Sequence, residues 1–165
     1  MPRQLRLRVL KAWEVDQAYP LVLSCGTGFS LQGWRRYAGS LIKRGPARCG
    51  VLAVANQRGT IQGICSYRMQ RAPEGGWHCA VELIIALDLI DESEVAAALL
   101  EGIELLARQQ GASALSVNLP YASQLAPALL SRLGDGGLHA HQVQLLKPLD
   151  SCRRPTSALT PNVRQ

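Results

Sequence analysis

The stretch DLIDESEVAAALLEGIELLARQQG, residues 88–111, carries the reading of the fold. Val95, Ala98, Leu99, Gly102, Ile103 and Leu106 recur at i, i+3, i+4, i+7, i+8 and i+11, the single apolar stripe of a helix with one face on a core. Glu94, Ala97, Glu101, Glu104 and Arg108 lie opposite, and Glu104 to Arg108 is a favourable i, i+4 pair. Gly111 suits the position just past the last turn, where the chain adopts a left-handed conformation. The start of this helix is different in kind, because Asp88, Asp91, Glu92 and Glu94 crowd carboxylates around its first turn.

Working outward, WHCAVELIIALDLI immediately before the helix is mostly apolar, as expected of a central strand covered on both faces, and Glu82 sits at its middle. Earlier still, CGVLAVANQRGTIQGICSYRMQ holds two β-rich runs around NQRG, a hairpin turn in which Gly59 takes positive φ. APEGG makes the next turn. At the N-terminus LRLRVLKAW alternates Leu5, Leu7 and Val9 with charged residues, the period of a strand with one wet face. EVDQAYPLVLSC reads as a short helix whose middle Pro20 puts in question. CGTGFSLQGW is a glycine-rich loop, not a dinucleotide turn, since a helical segment precedes it; Ser30 caps the helix LQGWRRYAGSLIKRG. After residue 111, ASALSVNLP is a strand stopped by Pro120, YASQLAPALLSRLGDGG a shorter helix containing Pro127, and HAHQVQLLKPL a last strand. The order is β-α-α-β-β-β-α-β-α-β in one domain over residues 1–149, followed by a polar, loose tail over residues 150–165.

Bulk properties narrow the classes of function. A chain of 165 residues buries a substantial core, and no apolar run approaches the roughly 20 residues of a membrane span. The arginine-interrupted N-terminus is not a secretory signal, so the cytoplasm is the expected location. Five scattered cysteines read as reduced, buried thiols, and His139 and His141 lack Cys or acidic partners at ligand spacing, so no metal is expected. The net charge of +6 is unevenly placed, with no Lys or Arg between Arg71 and Arg108. WRRYAGSLIKRG reads as a solvated helix face, and without a recognition motif nucleic acid is not an expected partner.

This order of elements, together with ALLEGIELLARQQGASAL, resembles the core of the GNAT superfamily of acyl-CoA N-acyltransferases over roughly residues 5–149. The resemblance implies an α/β (α+β) fold: a mixed, mostly antiparallel central sheet of about six to seven strands with flanking helices. It implies direct transfer of an acyl group from acetyl-CoA or another acyl-CoA to a small amine or a protein amine, and leaves a homodimer open. In that family a loop of the form Arg/Gln-x-x-Gly-x-Gly/Ala, leading from a strand into a helix, holds the cofactor pyrophosphate on backbone N–H groups. Here that loop is DESEVA, residues 91–96: Asp91 stands in place of Arg/Gln, Glu94 in place of the first glycine, and Ala96 alone fits.

By the same resemblance Glu82 is the candidate general base, with burial raising its proton affinity. The plainer readings of Glu82 are a strand residue at a splayed edge or a buried charge paired with an arginine. Ala86 and Leu87 would meet the pantetheine arm through their backbone, and Ser93, Glu94, Val95 and Ala96 would form the pyrophosphate loop. Asn118 at the strand end either bonds the cofactor or simply ends the strand. The family's acid, a tyrosine, falls on Leu130, so Tyr121 is either its substitute or a half-buried packing residue, and Ser123 stands where an asparagine is common. A carboxylate about 6 Å from a phosphate charge costs on the order of 1–3 kcal/mol, against at most roughly 2 kcal/mol returned by the helix terminus. Weakened coenzyme A binding is therefore expected, and a GNAT-like domain that has become a binding or assembly module is the alternative to an enzyme.

Overall fold

The computed structural model describes residues 4–87 and 92–118. Strand β1 (Arg6–Val9) is followed by a 3-10 turn (Ala12–Glu14), helices α1 (Val15–Ser24) and α2 (Leu31–Lys43), and strands β2 (Cys49–Ala55), β3 (Ile61–Arg71) and β4 (Trp77–Ala86). Helix α3 (Glu92–Gln109) and strand β5 (Ala112–Val117) complete the described chain. This is the expected order as far as β5. The sixth strand and last helix expected from the sequence, and the tail over residues 150–165, lie outside the described residues. No described helix is long and apolar enough to cross a membrane.

Local chemistry accounts for the boundaries. Ser30 Oγ accepts the Gly33 N–H at 3.0 Å, capping α2 as the sequence suggests. Asn56 Oδ1 accepts from the N–H groups of Arg58 and Thr60, and Gly59 at φ 82° closes the β2–β3 hairpin. Helix α1 runs through Pro20 without ending. Pro20 and Asp16, whose carbonyl loses its partner there, are both exposed, so water satisfies the missing bond. Glu14 is a buried carboxylate that accepts the Lys11 N–H at 3.0 Å and pairs with Arg8.

The sheet runs in sequence order β1-β2-β3-β4-β5, antiparallel except for the parallel pair β4–β5. One face carries α1 and α2 over Leu10, Val51, Ala53, Ile64, Leu83 and Ile85. The other carries α3, whose Val95, Leu99 and Ile103 meet Leu52, Val54, Cys65, Val81 and Ile84. α3 crosses close to β3, where a Cβ on Gly63 would sit 2.6 Å from Val95 Cγ1 and 2.9 Å from Leu99 Cδ1.

One irregularity in β4 organises the rest. Ser66 pairs with Leu83 and Tyr67 with Val81, so Glu82 is an extra residue, a β-bulge. Before it Cys79 and Val81 face α3; after it Ile84 and Ala86 do. Strict alternation would have turned Ile84 and Ala86 to the opposite face. The bulge lets both apolar pairs bury against α3 while Glu82 and Leu83 share the α1/α2 face.

Candidate functional site

Glu82 stands at the centre of a polar group on that face. Arg68 Nε lies 2.8 Å from Glu82 Oε1, and the Tyr37 hydroxyl donates to Glu82 Oε2 at 3.3 Å. Tyr37 and Ser66 hydroxyls are 2.7 Å apart. Tyr37 has one proton and gives it to Glu82, so Ser66 supplies its own to Tyr37, forming a chain Ser66 to Tyr37 to Glu82. Burial is the main cause holding the Tyr37 phenol above its ordinary range, with the Ser66 hydrogen bond opposing, so it stays protonated at neutral pH. Pairing with the Glu82 carboxylate is the main cause raising the Arg68 guanidinium, which stays charged.

The scaffold positions each of these. Ser66 and Arg68 are two apart on β3 and so project to one face. Tyr37 rides on α2, which is pinned to α1 by the buried Trp34, whose indole N–H donates to the Val15 carbonyl at 2.7 Å. Phe29 and Trp34 pack on the Tyr37 ring with centroids 5.3 and 6.1 Å away. Further along the same face, His78 Nε2 and Ser116 Oγ are 2.7 Å apart across β4 and β5.

The environment of Glu82 differs from the expected lone buried carboxylate. Its side chain is 32% exposed and is ion-paired with Arg68, so the arginine pairing of one plainer reading is present while full burial is not.

The residues expected on the cofactor side are described in part. α3 begins at Glu92, where the sequence puts the helix start, so Ser93, Glu94 and Val95 fall in its first turn. Val95 and Ala96 are buried in the core, and their N–H groups fall at the fourth and fifth helical positions, where they bond within the helix, so the first-turn N–H groups that the helix itself does not use are those up to Glu94. The Leu87 N–H donates to the Gln62 carbonyl at 2.8 Å and is spent within the sheet. By alternation the Ala86 backbone faces the other way, toward the β5 side. Pairing there is described as far as the Asn118 N–H, which donates to the Val81 carbonyl at 2.9 Å, and the Asn118 side chain is exposed. Tyr121, Ser123 and residues 88–91 lie outside the described residues.

Sequence reasoning singled out Glu82 and missed Tyr37, Ser66 and Arg68. A signal existed for two of them, since Ser66 and Arg68 are polar at i and i+2 within an otherwise apolar β3 segment. Tyr37 gave none, as it shares the apolar helix face of Trp34 and Leu41.

A mixed sheet between a two-helix layer and a single helix, with its parallel pair at β4–β5, defines an α/β class of fold. More particularly, it is the GNAT fold. Solved structures similar to it include a Trypanosoma brucei acetyltransferase, at 19% identity and TM-score 0.65 over 88% of this chain and 100% of that one. A GNAT family acetyltransferase of Staphylococcus aureus is similar at 11% identity and TM-score 0.69, over 88% and 98%. An aminoglycoside N-acetyltransferase solved in complex with CoA is similar at 9% identity and TM-score 0.66, over 93% and 97%. At these identities the likeness is one of fold. No protein-family model and no curated protein matches the sequence.

Proposed function

We propose that the protein is an N-acyltransferase that moves an acyl group, acetyl in the simplest case, from coenzyme A to an amine in the cytoplasm. The observation that carries this reading is the constellation of Glu82, Tyr37, Ser66 and Arg68, set at a β4 bulge in a GNAT fold. Glu82 accepts a proton from the acceptor ammonium. The freed nitrogen lone pair attacks the thioester carbonyl, the carbon–sulfur bond breaks, and the leaving sulfur takes up a proton, for which Tyr121 is the candidate donor. Tyr37 and Ser66 hold the carboxylate in place.

The residues fit the cofactor in part. The Ala86 backbone faces the side where a pantetheine arm would lie, and of the expected loop residues Ser93 to Ala96 the N–H groups of Ser93 and Glu94, which the first turn of α3 does not itself use, suit an anion. Asn118 and Ser123 flank the same end of the sheet in sequence. Glu92 and Glu94 in that first turn oppose a pyrophosphate electrostatically, which supports a second reading: a GNAT-fold binding or assembly module without catalysis.

The two separate by assay. The full chain is incubated with acetyl-CoA and a panel of primary amines and polyamines, and acetylated product is measured by mass spectrometry. Acetylated product is expected, reduced about 100-fold or more in Glu82→Gln, the usual range for losing a general base. No product from any amine supports the binding-module reading. Product unchanged in Glu82→Gln removes that residue from the chemistry.

A further inference from the structure

We infer that the acceptor is an amino acid or a close relative, carrying a carboxylate beside its amine, and that Arg68 is the residue that selects for it. The inference rests on the acyltransferase reading and names the substrate class of the same site. Arg68 lies against Glu82 with Nε 2.8 Å from Oε1, a contact that leaves the buried Nε without a well-formed hydrogen bond, and its two Nη groups make no hydrogen bond to a described residue. A guanidinium presents those groups as a planar fork matched to a carboxylate.

The geometry adds a second argument. Arg68 and Glu82 are a contact pair at 2.8 Å, with side chains 27% and 32% exposed. A simple ammonium arriving at Glu82 competes for the charge that Arg68 relies on, leaving a half-buried cation short of its partner, which is costly. A ligand with adjacent ammonium and carboxylate compensates both. The ammonium takes a place at Glu82 while the carboxylate occupies the Arg68 fork. A ligand whose charges lie far apart does not span a pair that is itself in contact. The hydroxyls of Tyr37 and Ser66 keep Oε2 of Glu82 fixed during this exchange.

The test uses the full chain with and without saturating coenzyme A, and three matched series: α-amino acids, their carboxamides and their decarboxylated amines. Binding is measured by calorimetry. At least one amino acid is expected to bind about tenfold or more tightly than its amide and its amine, the scale of one charge-assisted contact. Arg68→Gln is expected to abolish that preference and Arg68→Lys to retain part of it, with circular dichroism verifying that both variants fold. Equal or tighter binding of the amines, no binding in any series, or an undiminished preference in folded Arg68→Gln overturns the inference. Acetyl-CoA is titrated into the same samples. Cofactor binding without a carboxylate preference overturns only the acceptor assignment, whereas absence of cofactor binding overturns the acyltransferase reading itself.

Discussion

Tyr37→Phe removes one oxygen atom and with it both the donor to Glu82 Oε2 and the acceptor of the Ser66 hydroxyl. Ser66 is 1% exposed, so its hydroxyl is left buried with a lost partner, at a cost of roughly 1–3 kcal/mol in urea unfolding. Because Tyr37 steadies the base without touching the acceptor nitrogen, the pH profile of kcat/KM is expected to move while activity survives. An unchanged profile contradicts the positioning role. A second residue-scale effect concerns alkaline pH. Burial pushes the Cys79 thiol from 9.0 up to about 11. The folded protein keeps this proton where the unfolded chain has lost it, so its contribution to stability is complete below the lower value and disappears as pH rises through the upper. Burial raises Cys65, Tyr67 and Tyr37 in the same sense. Stability is thus expected to fall between about pH 8 and about pH 11, and less steeply in Cys79→Ala, by urea unfolding at each pH. An identical slope in the variant contradicts the assignment.

At the scale of elements, the contact of α3 with β3 is the one that sets where the first helical turn stands. Gly63→Ala places a methyl 2.6 Å from Val95 Cγ1 and 3.2 Å from the Ile85 carbonyl, which cannot both withdraw. A loss of about 1–3 kcal/mol is expected, the usual cost of overpacking a filled core. Stability equal to the parent chain indicates that α3 is free to shift. The helices and strands themselves were legible because their signals are local: the Val95–Leu106 stripe, the Ser30 cap and the Asn56–Gly59 turn each act within a few residues. The β4 bulge was not, because WHCAVELIIA is apolar almost throughout and a slip of alternation leaves no mark in such a run. For the same reason Glu82 read as buried. Its partners come from α2 and β3, 45 and 14 positions away, and only the closed sheet brings them together. Pro20 misled in the other direction, since its cost depends on whether the orphaned carbonyl is wet, a property of packing and not of the helix.

At the scale of the molecule, the described residues form a GNAT fold, while no family model matches the sequence. Carboxylates gather along β4 and α3 between Arg71 and Arg108 in a chain of net charge +6. That field favours a cationic acceptor nitrogen and disfavours a pyrophosphate at the start of α3, so cofactor affinity is where the two readings of the protein part. Thermal unfolding followed during titration with acetyl-CoA tests this most directly. The acyltransferase account predicts a rising midpoint, with stability increased by about 2.7 kcal/mol once the ligand reaches 100 times its dissociation constant. A midpoint that stays fixed up to about millimolar acetyl-CoA, the upper end of the usual KM range, contradicts it.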